Sequence, residues 1–355
     1  MSSRHALQHP LSPTSDDTGK SVLSSLPEPC GPLSEAVIRA LTVPDGPRPV
    51  PPARAARAVT DPLTDRDFQL ALWLLYETHY RGFRGVDPAL EWDPLLIAAR
   101  VPLERLFEES VRELAGVPEE ASTPDEVVTA LTRMTVGEES ELATFLSREA
   151  TADQFRAYLA ERAVYHLRES DPHSFLLPRI GGPAKVALAE LQYDEYGAGR
   201  PDRLHSDIYA RALESVGLTT DLPTHVDAAG AATLASVNVI SLFALNRRLR
   251  GASAGHLAAF EATSSLPCSL IAKGAQRLGL PEPVIDYYQE HVEADSVHEQ
   301  LAIRDICGAL VAAEPELAAD VVFGAAACLA VDALAADALL AQWRDLPADV
   351  ESAAS

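Results

Sequence analysis

Apolar residues in this chain recur at helical spacing almost throughout, and no stretch alternates well enough to make a sheet. Phe68, Leu72, Leu75 and Tyr76 form one such stripe. A chain patterned this way hides its apolar residues by packing helix on helix, so the expected fold is all-α. The spacing predicts helices over 65–81, 93–99, 102–114, 123–135 and 138–148. Longer ones follow over 151–170, 182–197, 201–216, 228–249, 253–279, 282–310 and 314–343. Gly251, Gly279-Leu280-Pro281 and Glu314-Pro315 punctuate them. Ser122-Thr123-Pro124-Asp125 reads as a helix start, an N-cap hydroxyl followed by Pro in the first turn. At 355 residues the chain can build one large domain or two modest ones.

Three regions differ in character. Residues 1–60 are rich in Pro and Ser, including Pro47-Arg48-Pro49-Val50-Pro51-Pro52, and are expected to be a disordered tail with one short helix near 34–42. Residues 61–150 read as an accessory helical domain, with homodimerisation as its expected role. Glu77 and His79 are two apart and so point to different faces, and nothing in this region has ligand spacing. Residues 151–345 hold the candidate chemistry.

Several function classes are disfavoured. The net charge of −23, from 52 acidic and 29 basic residues, argues against nucleic-acid binding through phosphates. No window approaches the apolar length needed to cross a membrane, and the N-terminus lacks the basic-then-apolar order of a secretory signal. A cytoplasmic protein is expected. Cys30, Cys268, Cys307 and Cys328 have no paired spacing, so buried free thiols fit better than a disulfide frame or zinc cluster. GxGxxG and P-loop elements are absent.

The sharpest chemical signal is His291-Val-Glu-Ala-Asp295-Ser-Val-His298. Steps of four and three residues put His291, Asp295 and His298 on one helical face, in line with Val284, Tyr287, Tyr288 and Ile306. Two imidazoles and a carboxylate on a buried stripe need a partner, and a metal is a good one. A satisfied histidine pair is the plainer alternative. Glu261 shares its face with Leu257, Ser264 and Cys268 and also points inward. A buried ion pair with Arg247 or Arg248 would explain it without a metal. Pro267 should bend that helix nearby. A third cluster spans Glu190 to His205, where Gly197, Gly199 and Pro201 break the helix and let Glu195 and His205 converge. Asp194 and Glu190 read as solvated or supporting groups. Glu169, at a helix end before Asp171-Pro172, is a further candidate that alone would pass for a surface glutamate. Mixed imidazole and carboxylate ligands suit iron or manganese, and the set is large enough for two ions. Ferritin-like Glu-x-x-His pairs are missing.

In their order, Glu195, His205, Glu261 and His291-x₃-Asp295-x₂-His298 resemble the haem-oxygenase-like di-iron oxidases and oxygenases. The resemblance covers roughly residues 150–343. Leu75-Tyr-Glu-Thr-His-Tyr-Arg-Gly-Phe83 and the Glu190–His205 stretch are also similar to a bacterial subgroup described as iron-containing redox enzymes. The resemblance implies a haem-oxygenase-like bundle holding two Fe(II) ions on Glu195, His205, Glu261, His291, Asp295 and His298. It implies O₂ as co-substrate and an external two-electron reductant whose identity is open. Glu195 and Glu261 are expected nearest the chemistry, with Glu261 bridging the metals. Nitrogen-oxidising members carry an extra upstream carboxylate, and Glu169 sits where it is expected. The expected activity is therefore N-oxygenation of an amine or guanidine of a small, amino-acid-like metabolite in natural-product biosynthesis. Formation of an N-nitroso product, which in that family needs an added cupin domain, is not expected from a chain ending at 355. Desaturation or carbon–carbon cleavage of an amino acid or fatty acid is the nearest alternative. A non-catalytic iron-binding or interaction protein is the alternative from another class. Haem oxygenase itself fits poorly, because Gly251 and Gly255 do not make a glycine-rich distal helix.

Overall fold

The helical spacing is realised in a computed structural model that describes residues 23–43, 58–117, 120–137 and 140–344, with the side chains of 293–297 excepted. Among these residues there is no strand, and one isolated bridge joins Ser24 to Phe83. The helices are α1 (Pro32–Thr42), α2 (Arg66–Glu77), α3 (Pro94–Ala115), α4 (Pro124–Thr135), α5 (Glu141–Arg148) and α6 (Ala152–His166). They continue as α7 (Asp171–Ser174), α8 (Gly182–Glu195), α9 (His205–Ser215), α10 (Leu222–Ala228), α11 (Ala231–Leu245) and α12 (Arg250–Ala262). The last are α13 (Ser265–Leu278), α14 (Glu282–Gln300), α15 (Ala309–Ala313) and α16 (Ala318–Arg344), with a π-helical segment, Leu301–Gly308, between α14 and α15.

Local chemistry sets most starts and stops. Thr123 and Glu126 form a capping box with Pro124 in the first turn of α4, as the sequence implies. Thr151 and Gln154 do the same for α6. Gly279 closes α13 in the left-handed region, at φ 64°. The single helix expected over 253–279 is two helices, broken at Thr263 and Ser264. Pro267 explains the position: its ring clashes with the carbonyl four residues earlier, that of Thr263, and it has no N–H to give.

The expected tail is folded in part. α1 packs on α2 and buries Leu33, Val37, Ala40 and Leu41. Its N-terminus is capped from α2: Asp67 accepts the Leu33 and Ser34 N–H groups at 2.7 and 2.8 Å and the Ser34 hydroxyl at 2.5 Å. Residues 1–22 and 44–57 lie outside the described residues.

Helices before residue 150 pack into the bundle rather than around a core of their own. Trp73, Phe107 and Leu146 share one apolar cluster with Phe155, Tyr209, Phe243, Tyr287 and Trp343. Val127 and Leu131 of α4 join a second, with Leu188, Leu257, Ile306 and Val322.

The central pair is α12 and α16, held close by glycine. A methyl group on Gly255 would overlap the Val321 carbonyl, and one on Gly324 the Ala252 carbonyl. Gly251 also lies within α12 rather than in a turn. These glycines allow the close helix contact. The expectation that no segment is apolar enough to span a membrane needs correction. Pro315–Arg344 is long and apolar enough by length and composition. More than half of its most apolar window is buried within the chain, which is the burial a central bundle helix requires.

Candidate metal centre

Five segments bring their carboxylates and imidazoles to one buried place. α6 ends at His166, and the turn after it carries Glu169 and Ser170. Ser170 is left-handed at φ 66°, a conformation that costs a non-glycine residue about 1–2 kcal/mol. It gives its hydroxyl to Glu195 Oε2 at 2.8 Å. Glu195 is the last residue of α8 and His205 the first of α9. The chain reverses between them through Gly197 at φ 83° and Gly199 at φ 78°. A methyl group on Gly197 would strike the backbone of Arg200 and Leu204, so the turn needs glycine there. The break anticipated from Gly, Gly and Pro thus brings His205 Nδ1 to 3.1 Å from Glu195 Oε2. Glu261 comes from the last turn of α12, and His291 and His298 from α14. The π-helix begins three residues after His298; such segments are rare and favour functional sites.

The ligand atoms form two groups. Glu169, His205 and His291 offer atoms all within 4.8 Å of one another, as do Glu195, Glu261 and His298. All six residues are buried. Glu195 lies between the groups, with Oε2 on His205 and Oε1 3.6 Å from His298 Nδ1. Glu261 Oε2 is 3.4 Å from His298 Nδ1, within the second group. Asp295 falls among the side chains outside the described residues.

A metal pair fits this donor set. Three carboxylates with three imidazoles are hard and borderline donors of the kind iron and manganese take. The Nδ1 atoms of His205 and His298 are buried without a hydrogen bond, facing carboxylate oxygens. Such atoms are costly to bury unless a cation or proton fills the space. Arg248, one of the two arginines considered for Glu261, pairs with Glu108 instead, and the neighbour Glu261 does have is His298.

Electrostatics separate the two groups. Burial alone would keep His298 neutral, but the Glu261 carboxylate beside it, with Glu195 behind, raises its pKa to about 9. Burial pushes Glu261 up, against the pull of His298. Burial holds His166 neutral, lowering its pKa to about 4. It therefore works as a hydrogen-bonding group, with Nδ1 3.0 Å from Glu169 Oε1 and 2.6 Å from the Tyr287 hydroxyl. Tyr287 donates to Glu169 Oε2 at 2.9 Å. Against the burial that would raise it, Glu169 is held well below the usual carboxylate range by His166 and His291. His291 Nδ1 meets the Tyr287 carbonyl at 2.8 Å, and Nε2 lies 3.5 Å from Glu169 Oε1.

Sequence reasoning missed several members. His166 gave no periodic signal, Ser170 acts through a strained turn, and Tyr287 was read only as part of a stripe. Asp194, half-exposed, comes within 3.4 Å of His298 Nε2 in the supporting position expected of it. Glu169 is 5% exposed, so its place at a helix end does not make it a surface residue. Arg168, just before it, forms a buried ion pair with Glu77, a residue that had shown no ligand spacing. A cavity of about 350 Å³ reaches the first group at His166, Glu169, Tyr287 and His291.

The family described as "Iron-containing redox enzyme", haem-oxygenase-like in fold, matches residues 156–333. Over 166 residues, 46% of this chain, the sequence is 28% identical to nitrosourea synthase of Streptomyces achromogenes subsp. streptozoticus. The match takes in 35% of that protein, so the chain corresponds to about a third of the relative's length.

Proposed function

The chain belongs to the iron-containing redox enzyme family, and we propose that it is an O₂-dependent di-iron N-oxygenase of a small amine or guanidine. The observation that carries this reading is the pair of buried triads, Glu169/His205/His291 and Glu195/Glu261/His298, with one carboxylate, Glu195, between them. Similarity to nitrosourea synthase favours nitrogen as the atom oxidised. So does the buried carboxylate Glu169 beside the other ligands.

Glu169, His205 and His291 would hold one ion, Glu195, Glu261 and His298 the other, and Asp295 is the further ligand expected on α14. Two ferrous ions held there would supply electrons for O₂ reduction. For an amine the balance is R–NH₂ plus O₂, two electrons and two protons, giving R–NHOH and water. An external two-electron donor closes the cycle. His166 and Tyr287 keep both oxygens of Glu169 hydrogen-bonded, which fixes its orientation. Ser170 does the same for Glu195. Tyr165 and Tyr209 pack against the His166 ring, and Phe260 against Tyr165, which holds His166 in place.

The test is anaerobic loading with Fe(II), then exposure to ¹⁸O₂ with a panel of amino acids and amines, read by mass spectrometry. One ¹⁸O atom on a substrate nitrogen is the expected result. Loss of two hydrogens with no oxygen gained would replace this reading with desaturation.

A further inference from the structure

The cavity that reaches Glu169 and His291 also contains a guanidinium that the centre does not use. Arg162 lies on α6, four residues before His166 and four after Tyr158, so all three share one helical face and all three line the cavity. Among the described residues its guanidinium makes no hydrogen bond and has no carboxylate within 4.0 Å, and its Nε is buried without a partner. Its guanidinium carbon lies 6.0 Å from the centre of the Tyr165 ring. No acidic residue of the cavity wall forms an ion pair with it, although the charge of Asp332 acts on it through space. Glu161 is engaged with the Gly230 N–H at 2.9 Å. Asp332, on the opposite wall from α16, shares the cavity but stays beyond ion-pair distance.

A partly buried guanidinium that lines a cavity, with its Nε wholly buried, is rarely left without an anion, because its donors cannot be desolvated cheaply. Its planar fork matches a carboxylate in two parallel hydrogen bonds. We propose that Arg162 anchors the carboxylate of the substrate, so that the molecule oxidised at this centre is a carboxylate-bearing amine held by its acid end. This rests on the reading of the adjoining centre as the place of oxidation. Four residues of helix separate Arg162 from His166, about 6 Å along the axis, and Glu169 lies roughly one turn further. The nitrogen that reacts is therefore distal to the carboxylate rather than attached to the next carbon. Tyr288 and Phe260 also line the cavity and suit an apolar linker.

The probes are 4-aminobutyrate, 6-aminohexanoate and 8-aminooctanoate, each compared with the alkylamine of equal carbon number. Calorimetric titration into metal-free protein reads binding apart from turnover. One of the three acids should bind at least about tenfold more tightly than its amine, the worth of a charge-assisted pair. Arg162→Met should erase that preference, and Arg162→Lys should keep part of it. Both variants should load the same iron as wild type. Equal binding of acid and amine, an unchanged preference in Arg162→Met, or no binding of any acid at millimolar concentration would overturn the proposal. Since the wild-type comparison needs no variant, a misfolded mutant does not rescue it. Iron content is measured alongside, so failure of the centre to load is a separate result that bears on the di-iron reading instead.

Discussion

Metal binding at His298 must compete with a proton, and pH therefore sets the affinity of the centre. Burial would keep this imidazole neutral, but Glu261 and Glu195 raise its pKa from 6.5 to about 9. At pH 7 the metal-free side chain is a cation, and freeing it costs about 2.7 kcal/mol, two pH units at ~1.36 kcal/mol each. Affinity for Mn(II), an air-stable stand-in for ferrous iron, should rise about tenfold per pH unit from 7 and level off near 9. Titration calorimetry in buffers of different ionisation enthalpy should count at least one proton released per ion at pH 7. The metal-free protein should behave oppositely. A folded pKa above the unfolded value contributes stability that is complete below about 6.5 and is lost as pH rises through 9. Its melting temperature should therefore fall over that window, and His298→Gln should remove the fall. An affinity indifferent to pH, with no proton released between 7 and 8, would refute the reasoning.

Glu77→Gln leaves Arg168 buried without its counter-ion, both side chains being 2% exposed, and should cost about 3–5 kcal/mol in urea melts. Because Arg168 adjoins Glu169, iron content should fall as well; an unchanged melt would mean that the pair is idle. Tyr287→Phe removes the donor to Glu169 Oε2 without opening a cavity. It should weaken metal binding about 10–100-fold and leave the melt within ~1.5 kcal/mol, so unchanged affinity in a calorimetric titration would count against it. Gly255→Leu forces a side chain into the Val321 backbone and should destabilise by about 3 kcal/mol or more, checked by thermal unfolding.

What could be read from the sequence was whatever lies within one helix or one turn. His291 and His298 share a face because helical geometry fixes it, and Glu261 declared itself by sitting on an apolar stripe. Glu195 and His205 were readable together because Gly197 can take a backbone conformation that other residues resist. Pro267 gave notice of a break, which falls four residues upstream, where its ring meets the preceding turn. Contacts across the chain were not readable. The cap of α1 comes from Asp67, 33 residues away, so the segment looked like a tail. Glu77 and Arg168 are 91 apart, and nothing local to either suggests an ion pair. Glu169 is buried by helices distant in sequence, and His166 becomes a partner only through the turn that follows it. The apolar length of Pro315–Arg344 was missed because it is rich in alanine rather than in large residues.

Two triads that hold two metals must show it in the iron stoichiometry. After anaerobic loading with Fe(II) and removal of excess, two irons per chain are expected. In crystals of the loaded protein, anomalous scattering should place one beside Glu169, His205 and His291 and the other beside Glu195, Glu261 and His298. A single iron per chain, with one triad empty at saturating metal, would contradict it.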